Sequence, residues 1–182
     1  MNLADLSIVA DLVNAAVVTL TFIVLVVSIR QNTQSQKLVA VQSLTSAITA
    51  INVPAMESPA MGTALASATR SWSGATREER IVAHYFLFCY FKLAEQAWVQ
   101  HKARVLDDAQ WAGWENGARM FYHAPGVREG WWPHRRVAYS AGFRAYLEAT
   151  TPSSGMGGMD ALFDPETRAA GESVTSGGLQ VA

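Results

Sequence analysis

Histidines, cysteines and paired carboxylates carry most of the chemistry that side chains can do. Here the histidines are His84, His101, His123 and His134, and the one cysteine is Cys89. No HExxH, HxxxH or CxxC occurs, so no zinc-ligand spacing is present. His84 and Cys89 are five residues apart, which sets them about 140° apart around a helix and makes them poor partners for one metal. GMGG at Gly155–Gly158 follows no strand and is not a phosphate cradle, and Ser153 and Ser154 lack a nucleophile-elbow context. The membrane-like segment holds no histidine to ligate haem. The expectation is no catalytic residue, no metal and no cofactor. Two constellations remain. His101, Trp111, Trp114 and His123 could line a pocket between neighbouring helices, as in a membrane-tethered enzyme or ligand sensor. Arg128, Arg135 and Arg136, with His134, surround Trp131 and Trp132. Basic groups among tryptophans can bind phosphate, an acidic partner or an anionic lipid surface. A plainer reading makes the tryptophans core and the arginines a solvated rim, with Asp107, Asp108 and Glu115 as their internal partners.

The elements that must carry these residues fall into a sharp order. From Leu12 to Ile29 no residue is charged, and 18 helical residues span about 27 Å, near the thickness of a hydrocarbon core. The first ten residues, MNLADLSIVA, carry no Lys or Arg, which disfavours a cleaved signal peptide. Asp5 and Asp11 precede the span, and Arg30 and Lys37 follow it. The positive-inside rule then places the N-terminus outside and the rest in the cytoplasm, with Arg30, Gln31 and Lys37 at the membrane interface. Apolar residues return at Leu38, Val41, Leu44, Ile48 and Ile51, a helical stripe. It serves either to pack against later helices of the same chain or to pair with a second copy. Pro54 is expected to stop this helix after Asn52 and Val53.

Beyond it, a short helix is expected over about Ser58 to Thr69, with Trp72 lidding the core. Thr76 and Glu79 form a capping-box pattern that opens a long helix over Arg77 to about Ala103. Its segment IVAHYFLFCYF is apolar nearly all round but too short to span a bilayer, which marks the central helix of a bundle with Cys89 as a free buried thiol. Asp107 or Asp108 can cap a helix over Ala109 to His123, whose Trp111, Trp114, Ala118 and Phe121 or Tyr122 share a face. Gly113 and Gly117 allow close packing along it. Pro125 suits the first turn of another short helix that Pro133 interrupts, and Ser140 caps a last one whose Phe143, Tyr146 and Leu147 face inward. The last segment, from residue 151, is rich in Gly and poor in large apolar residues and reads as disordered, with Met159, Leu162 and Phe163 as one candidate docking hook.

Three ordered pieces carry a resemblance: SIRQNTQ at the helix exit, LDDAQWAGW, and APGVREGWW followed by FRAYLEA. Together they resemble a family of uncharacterised bacterial single-pass membrane proteins with an LRQNT-like exit and a small all-helical cytoplasmic body. The matching positions are Arg30, Gln31, Asn32, Thr33, Trp111, Trp114, Pro125, Gly126, Arg128, Trp131 or Trp132, Phe143, Arg144 and Tyr146. Such relatives often place a glycine just before the L-D segment, where this chain has Ala103, Arg104 and Val105. The resemblance implies an architecture and transfers no activity.

The 182 residues suit one domain plus extras, and a net charge of −1 argues against a nucleic-acid binder. With one cysteine there is no intramolecular disulfide. The expected fold class is all-α. It comprises a transmembrane anchor over 1–30, a juxtamembrane amphipathic helix over 31–52, a helical bundle over 53–150 and a tail over 151–182. The expected role is a non-enzymatic interaction module or accessory subunit at the bacterial inner membrane, with the lipid bilayer and a protein partner or a second copy as its contacts. The alternatives are the tethered enzyme or sensor, and a peripheral surface for anionic lipid.

Overall fold

The computed structural model describes residues 3–152. Residues 153–182 of the expected disordered tail, with its hook at Met159, Leu162 and Phe163, lie outside them. The described residues are helical, without a strand: α1 (Leu3–Glu57), α2 (Pro59–Arg70), α3 (Arg77–Lys102), α4 (Asp108–Tyr122), a π-helical segment (Gly126–Trp131), α5 (Trp132–Arg135), a 3-10 turn (Arg136–Ala138) and α6 (Ala141–Glu148). They divide into two units, the first ending at Ser43 and the second beginning at Leu44.

The first unit is bare helix. Its best 18-residue window has a mean hydropathy of 2.6 with none of it buried, and Leu12, Val18 and Phe22 are each about two-thirds or more exposed. This helix is long and apolar enough to cross a membrane. Its polar residues do not spoil that property. Thr19 and Thr21 donate their hydroxyls to the carbonyls of Ala15 and Val17, both at 2.8 Å, so these two hydroxyls are satisfied within the helix. Arg30, Gln31 and Lys37 are exposed along the same helix.

The second unit packs α2, α3, α4, the π-helical segment and α6 around Leu87, Phe91, Val127, Trp131, Phe143 and Leu147. The last part of α1 joins this core. Leu44 is buried, and Ile48 and Ile51 pack against it. Leu38, by contrast, is 65 % exposed, so the stripe is split between core and surface. Pro54 does not stop α1, which runs to Glu57. A proline lacks the amide donor of its turn and its ring crowds the carbonyl four residues back, yet the Ser58 amide still donates to the Pro54 carbonyl at 3.1 Å and closes the last turn.

Local signals set the remaining boundaries. Thr76 Oγ1 accepts from the Glu79 amide (3.2 Å) while Glu79 Oε2 accepts from the Thr76 amide (2.7 Å). That backbone bond leads in holding the Glu79 carboxyl below its ordinary range. Asp107 and Gln110 form a second capping box, and Ser140 accepts from the Phe143 amide. Helix α3 is central: Ala83, Phe86, Leu87, Tyr90, Phe91, Ala94 and Ala97 are buried. Cys89 is not buried; it is exposed. It lies one and two turns after Tyr85 and Ile81 on the outward face, both of which are exposed too. Arg104 holds φ 58°, the left-handed geometry usual for glycine, in the turn between α3 and α4.

Pro133 does not interrupt a helix either. The chain first widens into the π-helical segment, where the Trp132 amide donates to the Val127 carbonyl five residues back. Pro133 then sits in the first turn of α5, where no amide donor is needed.

Candidate functional site

A groove of about 420 Å³ opens between the start of α3 and α5. The first turns of α3 supply Arg77, Arg80, Ile81, His84 and Tyr85 at helical steps of three and four. The loop before α3 adds Trp72, the end of the π-helical segment adds Trp131, and α5 adds His134 and Arg135. No carboxylate lines it.

Its walls are held from behind. Arg80 Nη1 donates to the carbonyls of Ala75 (2.8 Å) and Trp72 (3.4 Å), so this guanidinium fixes the loop that carries Trp72. Trp131 Nε1–H donates to His84 Nδ1 at 3.0 Å, and its ring stacks on Phe91 with centroids 5.5 Å apart. With Nδ1 accepting, neutral His84 carries its proton on Nε2. Burial, and then the charge of Arg135, hold His84 below its ordinary 6.5. Arg77 and Arg135 form no ion pair among the described residues, whereas Lys92, Arg119 and Arg136 each meet a glutamate. The arrangement offers cationic and N–H donors beside aromatic and aliphatic faces, the chemistry of binding an anion that carries an apolar body.

The sequence-predicted surface is taken apart by the fold. Trp131 and Trp132 are 1 % and 3 % exposed, so neither indole offers a surface. Each N–H finds an internal acceptor, His84 for Trp131 and Glu148 Oε1 (2.9 Å) for Trp132. Arg136 pairs with Glu148 Oε2 at 3.1 Å, and Arg128 is exposed but does not line the groove. Of this set, Trp131, His134 and Arg135 line it. The carboxylates expected to hold these arginines act elsewhere. Asp107 caps α4, Asp108 lies 3.8 Å from His101, and Glu115 accepts from the Tyr146 hydroxyl at 2.7 Å. From sequence Trp72 is expected only to lid the core and His84 is weighed only with Cys89, while Arg77 and Tyr85 carry no site expectation. Their signal is the 77, 80, 81, 84, 85 spacing on one face of α3, which says nothing of what that face meets.

Of the second constellation, His101 and Trp111 meet directly. The His101 ring stacks on Trp111 (5.4 Å, 14°), while His123 Nε2 bonds Thr150 Oγ1 at 3.1 Å. Trp114 lines a different hollow, with Thr45, Ile48, Tyr90, Gln110 and Gly113. No group of three or more His, Cys, Asp or Glu that could hold a metal ion is found among the described residues.

No family model, no curated protein and no solved structure matches this chain.

Proposed function

We propose that the chain is a single-pass membrane anchor carrying a helical head that binds rather than catalyses, an interaction module or accessory subunit of a membrane assembly. The observation that carries this reading is α1. One helix holds both the exposed apolar span after Leu12 and the residues Leu44, Ile48 and Ile51 that complete the head's core. Water is a poor solvent for that span and lipid a good one. Arg30 and Lys37 after the span, with Asp5 and Asp11 before it, favour an outside N-terminus and a cytoplasmic head at a bacterial inner membrane. The groove supports binding, since its polar groups are cations and N–H donors held in place by the loop and indole contacts behind them. Leu38 and Val39 are exposed on α1 and open to a second copy or a partner helix. Mass measurement of the native complex, extracted in a mild detergent, tests the reading. A mass above one chain is expected; a lone monomer with no stoichiometric companion would refute it.

A further inference from the structure

We propose that the groove between the start of α3 and α5 holds the headgroup of an acidic phospholipid, with its phosphate between Arg77 and Arg135 and the first acyl carbons against Trp72, Ile81 and Tyr85. Charge complementarity comes first. Elsewhere on the head Lys92 meets Glu95 at 2.9 Å and Arg136 meets Glu148 at 3.1 Å. Arg77 and Arg135 enter one concave site from two elements and meet no acid there. Guanidinium forks match phosphate oxygens in geometry as well as charge.

The apolar half of the site selects among phosphates. Ile81 is 42 % and Tyr85 66 % exposed, and both sit on the groove. An aliphatic wall beside an aromatic one suits an acyl chain, whereas a soluble phosphate would leave it wet. The volume, about 420 Å³, admits a headgroup and the chain's beginning, not a whole lipid, so the acyl ends must stay in a bilayer. The chain supplies that setting, because a tethered head meets membrane lipid at a high effective concentration. The walls are ready before the ligand arrives. Arg80 clamps the Trp72 loop, and the Trp131 bond leaves Nε2–H as the remaining donor of His84. The proposal rests on the anchored reading, and its test is scored separately from membrane retention.

The full chain, in a non-ionic detergent and stripped of lipid, is titrated with short-chain phosphatidylglycerol, and native mass spectrometry counts the adducts. One adduct is expected, at least tenfold tighter than with phosphatidylcholine of the same chains. Arg77→Gln with Arg135→Gln should weaken it tenfold or more. Lys102→Gln with Arg104→Gln makes the same change of charge at the far end of α3 and should stay within twofold. Equal binding of the two lipids, or equal weakening in both double variants, overturns the proposal. If the groove variant melts lower than the parent, Ile81→Glu decides, since it keeps both arginines and sets an acid on the wall; unchanged binding there also overturns it. Inorganic phosphate or adenosine monophosphate binding more tightly than the lipid reassigns the groove to a soluble anion and overturns the lipid. A chain that binds phosphatidylglycerol yet washes off membranes refutes the anchor and leaves the groove standing.

Discussion

Gly126 gives the sharpest test of how the groove is built. It opens the π-helical segment and lies against the end of α2. A Cβ added there would stand 2.9 Å from the Thr69 carbonyl oxygen and from the Trp72 amide nitrogen, and would run into the Ala68 carbonyl oxygen. All three obstacles are backbone, so no side chain can swing aside. Overpacking a closed site costs about 1–3 kcal/mol, and a backbone obstacle belongs at the upper end. Alanine recovers about 1 kcal/mol over glycine in a helix. The net loss for Gly126→Ala is then about 2 kcal/mol, a fall in Tm of roughly 8–16 °C for a head of this size. Gly113→Ala is the control, because nothing lies within 4 Å of its added Cβ. It gains propensity alone, and its Tm should rise by roughly 4–8 °C for about 1 kcal/mol. Tryptophan fluorescence is the right probe, since all six tryptophans lie between Trp72 and Trp132 and report only on the head. A Gly126→Ala chain that melts at or above the parent would refute the close docking of the π-helical segment on α2.

Other consequences are independent of that contact. Arg104→Gly should stabilise by about 1 kcal/mol in chemical denaturation, because the φ of 58° strains any residue with a Cβ; a lower midpoint contradicts it. Burial leads in lowering both His84 and His123 below 6.5, so the unfolded chain takes up their protons first. Their stabilisation is therefore complete above about pH 6.5 and is lost as pH falls below it. Melting at pH 7.5 and 5.5 should show a fall that His84→Gln lessens, and an unchanged Tm contradicts the sign. Cys89, exposed on α3, should react with a maleimide in the native chain without denaturant. In intact spheroplasts an impermeant maleimide should leave it unlabelled until the membrane is opened. Labelling before that step reverses the proposed orientation.

What was legible in the sequence is what local physics decides. The capping box at Thr76–Glu79 is a contact across three residues, and it starts α3 where its pattern says; Asp107, one of two acids that could cap α4, does so, with Gln110 completing a box. The apolar span after Leu12 is likewise a matter of composition along one helix. The cost of Pro54 is set locally, but whether the helix bears it depends on what Ile48 and Ile51 dock against, which lies far along the chain. The two tryptophans at 131 and 132 were misjudged because basic neighbours along the chain suggest a surface. Their burial is decided by acceptors 47 residues upstream and 16 downstream, His84 and Glu148. The groove itself is the meeting of two elements about fifty residues apart, α3 and α5. Spacing along α3 marks one wall and cannot mark the other.

The central claim is that α1 anchors this head in a bilayer, and alkaline extraction tests it most directly. Membranes from cells expressing the full chain are washed at about pH 11, which strips peripheral proteins and leaves spanning helices whose apolar residues face lipid. The full chain is expected to stay in the pellet, and a variant with Val18→Lys and Leu25→Lys, two charges set within the span, to appear in the wash. Release of the unaltered chain into the wash would contradict the anchor.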